Sequence, residues 1–499
     1  MKDYSDISFW LATYGPYEPN PPLQGDLVVD VAIIGGGFTG LSTAYSLCKE
    51  NPGLSVAVLE AEVVGYGASG RNGGFSMTLF GLEPALTKAF FGQQRTVEAH
   101  RYMERAVDYV DALIREHDLQ SEYWFPGFLR AATTPGYVKR IQHDLEILTS
   151  MGVTGIEWLD SEKIRAEVDS PLFLGGWWEP RCGLLNPARH VRELKRLAQD
   201  FGAQIYESTQ VIEIQRETKF KLKTASGTVR AEKIAFAANA YSHLFPQLRR
   251  KQVPAFTHMV VTEPLTPEQL EPIGWKNRQG IEDARNLVHY FRLTMDNRLA
   301  MGGSDVSISY GQNMDRDLNP RTFADLKRDV FRLFPSLEGV KFTHHWGGPV
   351  SVPVDMAPAI GYIGDSRAVY SLGCVGHGVS MTHLNGCTLT DLLLERQSDL
   401  TSVWFVNRRM IPWPPEPLRL LHARAKLLLA AGNAGGPSFA GGPVSRREVE
   451  EHVLELILSK PLSDLLRRVL VWEQILYRPE TGRRGCGEAV QERHLVEHH

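Results

Sequence analysis

The stretch Val31-Ala32-Ile33-Ile34-Gly35-Gly36-Gly37-Phe38-Thr39-Gly40 is followed by the apolar run Val56-Ala57-Val58-Leu59 and then by Glu60-Ala61. Few folds accept this order of residues. A buried strand turns tightly at Gly35, Gly37 leaves the backbone bare for a pyrophosphate, and the helix opening at Phe38 and Thr39 packs closely because Gly40 has no side chain. Glu60 falls roughly 20 residues past the last glycine, where an acid meets a pair of ribose hydroxyls. The unit predicts a dinucleotide with a free 2′-hydroxyl, FAD or NAD rather than NADP.

Composition narrows the partners. The chain has 499 residues, 43% hydrophobic and 22% charged, enough for a large core and about three domains' worth of length. A net charge of −4 offers nothing to nucleic acid or to an anionic membrane surface. Met1 to Asp6 lacks the basic and apolar regions of a signal peptide, and no apolar run is long enough for a membrane span. Five scattered cysteines, an odd number, do not form a disulfide framework, so a cytoplasmic location is expected.

Residues 1–26, with Pro16, Pro19, Pro21 and Pro22, read as an extended arm. The expected fold is mixed α/β. A Rossmann-like FAD-binding domain (27–82, 181–250 and 345–420) interleaves with an antiparallel-sheet substrate domain (83–180 and 251–344). In the latter, Tyr290 to Thr294 should pair with Arg298 to Gly302 across a Met295-Asp296-Asn297 turn. Pro412 to Pro417 should end the compact fold, and a glycine-rich linker (430–443) leads to a C-terminal helical extension (444–480). That extension is either a surface for a partner or self-association, or a flap on its own domain.

Two further glycine clusters separate FAD from NAD. In Ala68-Ser69-Gly70-Arg71-Asn72-Gly73-Gly74, three glycines admit close backbone approach while Arg71 and Asn72 offer donors. A nicotinamide enzyme has no need of such a loop after its second strand. Gly376-His377-Gly378 then opens a segment of helical length at Val379, whose N-terminal amides can face an anion. No second ligand pair accompanies His344-His345, His377 or His383, so no metal is expected, and no serine stands in a GxSxG elbow.

With Gly183-Leu184-Leu185-Asn186-Pro187, Ala237-Ala238-Asn239-Ala240-Tyr241 and Gly373 to Gly378, these blocks resemble the FAD-dependent D-amino-acid and amine oxidase family (glycine and sarcosine oxidases), above all its γ-glutamylputrescine oxidase branch. The resemblance runs from about residue 9 to about residue 420. It implies that Ser69 to Gly74 hold the ribityl and ring part of the flavin. It also implies that the backbones of Val211, Ala238 and Asn239 close the adenine and pyrophosphate pocket, and that Gly348 and Gly376 to Val379 lie against the flavin. Some sarcosine oxidases carry a flavin-linked cysteine where this chain has Trp346-Gly347-Gly348-Pro349, so non-covalent FAD is implied.

The implied reaction is two-electron oxidation of a small primary or secondary amine, with O2 as acceptor and hydrogen peroxide as product. Tyr290, Arg292 and Trp346, with His377, are candidates for lining the substrate site. Arg292 reads either as the partner of a substrate carboxylate or as a solvated hairpin arginine. Two other readings stay open: a dehydrogenase passing electrons to a quinone or protein, and a flavin-binding protein acting through its C-terminal helices.

Overall fold

Two eight-stranded sheets carry the chain in a computed structural model that describes residues 3–432. The helical extension expected at 444–480 lies outside the described residues. Where an arm is expected, the short helix α1 (Phe9–Ala12) is capped by Ser8 and buries Phe9, Trp10 and Leu11. Residues 15–24 have no regular structure, as their four prolines dictate.

The β-branched residues of β1 (Leu27–Ile34) feed α2 (Phe38–Glu50), which returns the chain to β2 (Val56–Leu59) parallel to β1, with Ile33 opposite Val58. All four residues of β2 are buried, because both faces of a parallel sheet are covered. The sheet continues from β2 to Gln204–Tyr206. On the other side of β1 it runs through Thr228–Phe236 and Asp365–Leu372 to Ala359–Ile363, with Phe220–Lys223 and Glu213–Arg216 branching from Thr228–Phe236. Its core packs against α2, the helix Gln93–Glu116, α3 (Pro187–Asp200) and, as described below, the helix that follows Gly376.

The second sheet runs Phe342–Val352, Val253–Thr262, Leu299–Ser307, His289–Leu293, Gly280–Asp283, Phe128–Ala132, Gly175–Glu179 and Glu157–Asp160. Two of its strands matter below: β3 (Gly280–Asp283) and β4 (His289–Leu293). It is antiparallel except that β3 runs parallel to Phe128–Ala132. The hairpin register is the expected one, with Tyr290 opposite Gly302 and Arg292 opposite Ala300. Phe291 therefore faces a core shared with Phe323, Leu326 and Val330 of the helix Pro320–Leu333, while Tyr290 and Arg292 face the other way. Glu282, opposite Tyr290, shares their face.

After the last strand, α4 (Gly378–Leu393) crosses α2 at Gly386, where a Cβ would lie 2.5 Å from the Ser42 Cβ. The prolines at 412–417 do not end the fold. Helix α5 (Leu418–Gly432) follows them, and Ala423 is buried with Val253, Val354 and Trp413. The leucines and alanines of this stretch are strong helix formers, so helix occupies residues 430–432 of the expected linker.

One buried carboxylate ties three of these pieces together. Glu207 accepts the Lys195 ammonium at 2.6 Å, the Val64 amide at 2.6 Å, the Asn20 amide at 2.7 Å and the Tyr17 hydroxyl at 2.8 Å. Lys195 lies on α3, Val64 follows β2, and Tyr17 and Asn20 belong to the irregular arm. Replacing Glu207 by Ala strands a buried lysine, a change that costs about 3–5 kcal/mol. Urea unfolding monitored by tryptophan fluorescence should show a loss of that size, and Glu207→Gln, which keeps part of the network, should lose less.

Candidate cofactor and active site

At the end of β1 the chain turns through Gly35, whose amide donates to the Leu59 carbonyl at 2.9 Å. A Cβ on Gly40 would stand 1.9 Å from the Gly35 carbonyl oxygen, so α2 can start here only with glycine at that position. Ser69 Oγ accepts the Phe38 amide at 2.9 Å, and a Cβ on Gly37 would lie 2.8 Å from it. The loop after β2 thus meets the N-terminus of α2, where amides without intrahelical acceptors gather. Thr39 is buried in that first turn.

Glu60 closes the other side of the turn. Its carboxylate accepts the Gly36 amide at 2.6 Å and the Glu62 amide at 3.1 Å, with Ala61 exposed between them. Burial raises its pKa from 4.5 to about 7, and the amides of Gly36 and Glu62 offset only part of that shift. Val211 packs at the edge of the same sheet, and Ala237, preceding Ala238, donates its amide to Ile34 at 2.9 Å. Asn239 has a positive φ of 42° and accepts from the Cys374 thiol at 3.8 Å.

The glycine loop is held by its carbonyls. Ser8 Oγ donates to Gly70 O at 2.7 Å, Trp346 Nε1 to Arg71 O at 2.9 Å and Trp10 Nε1 to Asn72 O at 2.8 Å. Arg292 Nη1 reaches Gly73 O at 3.2 Å, Gly74 O at 3.4 Å and Leu185 O at 2.7 Å. Five successive carbonyls are therefore occupied. Gly74 has a φ of +80°, and a Cβ there would lie 2.4 Å from Arg292 Nη1, so the clamp admits no other residue.

This geometry reassigns several residues. Arg292, read as a possible carboxylate partner, has its guanidinium buried among backbone carbonyls and stacked on Trp124 at 4.6 Å. Trp346, expected to line the site, is buried beside Trp10. Arg71 and Asn72, read as donors, turn inward. Arg71 donates to Tyr66 O at 2.7 Å and pairs with Asp317 at 2.6 Å, and Asn72 Nδ2 bonds the Ala68 carbonyl at 3.0 Å. Tyr290 does reach the loop, since a Cβ on Gly73 would lie 3.0 Å from its ring.

The start of α4 comes near the face that carries Tyr290, with His377 Nε2 3.7 Å from Oε1 of Glu282. His377 is the N-cap of α4, Val379 is buried in its first turn, and Gly376 has a φ of +90° with open space on its Cβ side. A Cβ on Gly348 would lie 3.3 Å from the Arg71 Cβ. His383, weighed in the sequence as a metal ligand, belongs to a buried chain instead. His383 Nδ1 lies 2.5 Å from Val379 O, its Nε2 2.8 Å from His190 Nε2, and His190 Nδ1 2.8 Å from Ser121 Oγ. A carbonyl only accepts, so one tautomer order satisfies every atom: Ser121 donates to His190, His190 to His383, and His383 to Val379. Burial lowers the pKa of both rings, that of His383 to about 4, and Phe38 packs against the pair. Nothing in the spacing of residues 121, 190 and 383 announces this brace.

A family model described as FAD dependent oxidoreductase matches residues 30–392. The chain belongs to that family. This FAD-dependent oxidoreductase is 30% identical over 388 residues to gamma-glutamylputrescine oxidoreductase of Escherichia coli (strain K12), covering 77% of this chain and 88% of that protein. It is 25% identical over 377 residues to glycine oxidase of Bacillus licheniformis, covering 73% of this chain and 93% of that one. In fold it is similar to the crystal structure of glycine oxidase from Geobacillus kaustophilus, with a TM-score of 0.65 at 19% identity over 77% of this chain and 100% of that one.

The residues present fit FAD. The turn at Gly35 to Gly40 is a cradle that a Cβ would fill, Glu60 is a carboxylate at the strand tip, and the clamped loop stands beside both.

Two outcomes test this account. Because the folded pKa of Glu60 lies above 4.5, its contribution to the stability of FAD-free protein is full below about pH 4.5 and is lost as pH rises toward 7. Thermal melts of FAD-free Glu60→Gln should therefore fall less than wild type across that window, and parallel curves would remove the charge from the account. Replacing Arg292 by Met should release the loop, so that FAD content after desalting drops several-fold. A rise in KM confined to carboxylate substrates, with FAD content intact, would restore the carboxylate role.

Proposed function

We propose that this FAD-dependent oxidoreductase oxidises a primary or secondary amine of the γ-glutamylputrescine, polyamine or amino-acid kind to an imine. Water then hydrolyses the imine to an aldehyde or keto acid, and O2 is reduced to hydrogen peroxide. The 30% identity to gamma-glutamylputrescine oxidoreductase supports the substrate class. One structural observation carries the choice of a plain amine within it. Three buried arginines of this region are drawn to protein partners: Arg71 to Asp317, Arg130 to Glu83, and Arg292 to carbonyls. Each already carries a carboxylate or carbonyl partner, with only Nε of Arg130 buried and unpartnered, which weighs against the carboxylate of an α-amino acid.

Bound FAD supplies the two-electron acceptor. In this reading Gly35, Gly37, Phe38, Thr39 and Gly40 would receive its pyrophosphate and Glu60 its ribose hydroxyls. Val211, Ala238 and Asn239 would border the adenosine half, and Ser69 to Gly74, Gly348 and Gly376 to Val379 the flavin half. With no cysteine between Trp346 and Pro349, FAD is held without a covalent bond. The chain's own work is to orient the α-carbon and exclude water. Tyr290 and the loop form one wall of that space. Cys48, Cys182, Cys374 and Cys387 are free, in keeping with a reducing compartment such as the cytoplasm.

Anaerobic mixing of the FAD-loaded protein with a panel of amines checks the reading. Polyamines or γ-glutamyl amines should bleach the yellow absorbance within seconds to minutes, and α-amino acids should be slower by at least tenfold. In air the same amines should yield hydrogen peroxide. Bleaching by amino acids alone would overturn the plain-amine choice, and bleaching without peroxide in air would assign the electrons to another acceptor.

A further inference from the structure

Among the described residues, Glu282 shares the face of Tyr290 that meets the loop and lacks a full set of partners. It lies on β3, directly opposite Tyr290, and is 4% exposed. Its Oε2 is buried with no hydrogen-bond partner. Its Oε1 stands 3.7 Å from Nε2 of His377, the N-cap of α4, a separation beyond a hydrogen bond, and His377 Nδ1 is likewise buried and unpartnered. The nearby cation Arg130, its neighbour across the parallel pair, attracts Glu282 electrostatically but bonds Glu83, which also binds Arg140, and makes no hydrogen bond to Glu282. Cys182 and Tyr290 complete its electrostatic surroundings. A carboxylate removed from water and left short of partners is costly, and persists where something supplies the missing charge.

We propose that Glu282 is the specificity-determining anchor for the ammonium group of the substrate, with His377 and Tyr290 bounding the place it occupies. An alkylammonium ion brings what the site lacks: a positive charge and N–H donors aimed at Oε2. Tyr290 packs on Gly73, and His377 sits between Gly376 and Gly378, so the nitrogen is held between the clamped loop and the start of α4. The contact also offers a path for the extra proton. An N–H proton passing to Oε2 leaves a neutral amine with its lone pair free and a protonated carboxyl, with no change in electron count. The anchor depends on the amine reading for the identity of its ligand, and it assigns that reading a residue the motifs do not contain.

The test uses a ligand that cannot react. tert-Butylamine has no hydrogen on its α-carbon, and tert-butanol is its neutral counterpart. Binding to the FAD-loaded protein is followed by perturbation of the flavin spectrum and by calorimetry. Wild type should bind tert-butylammonium at least tenfold more tightly than tert-butanol. Glu282→Gln, with its FAD content and melting temperature confirmed, should lose that preference while its affinity for tert-butanol stays within twofold. Absence of cation preference in wild type overturns the proposal without reference to any variant. So does a Glu282→Gln protein that keeps the preference, or one that weakens for both ligands alike. Neither probe can bleach the flavin, so this outcome and the amine panel can fail separately.

Discussion

Everything at this site depends on five consecutive carbonyls, Gly70 to Gly74, being held by donors from outside the loop. A segment with three glycines has little shape of its own, since each glycine loses more conformational freedom on ordering than any other residue. Hydrogen bonds worth about 1 kcal/mol each, made by buried donors that would otherwise be stranded, hold it to one conformation. The donors come from α1, from Phe342–Val352 and from β4. The loop beside the dinucleotide turn is consequently shaped by the second sheet and by the arm, and the two halves of the molecule act as one site.

That clamp also sets the electrostatic character of the space. Arg292 is buried without a salt-bridge partner among the described residues, and desolvation works against its charge; the more distant Glu122, carbonyl dipoles and the Trp124 face compensate in part. The cationic groups near the loop are spent on structure, and of the acids Asp317 and Glu83 are paired with arginines while Glu282 is not. Burial raises Glu179 to about 7 while Thr78 donates to it at 2.5 Å, and Glu282 keeps an oxygen free. The balance favours a ligand that arrives positively charged.

Local motifs foretold local structure. The turn at Gly35, the acid at Glu60, the hairpin register at Tyr290 and Arg292, and the helix after Gly376 all rest on neighbours close in the chain, where spacing dictates geometry. Side-chain destinations are another matter. Arg292 and Trp346 stand on strands whose pairing was readable, yet their partners lie 107 and 275 residues away in sequence at Leu185 and Arg71, distances over which no periodicity speaks. Glu282, the His190–His383 brace and the Glu207 network carry no motif at all. α5 shows the complementary case: prolines suggested an end, but a helix follows them and buries Ala423 beside Trp413.

The order of residues from Val31 to Glu60 was sufficient to require a dinucleotide fold, because a strand, a side-chain-free turn and an acid at that spacing have one common solution. With the glycine clusters that follow, it also pointed to a flavin. Which polar groups remain free to meet a substrate was decided only when the two sheets came together. Burial assigns each donor to the nearest acceptor in space: it consumed Arg292, Trp346 and Arg71 and left one oxygen of Glu282 without a partner.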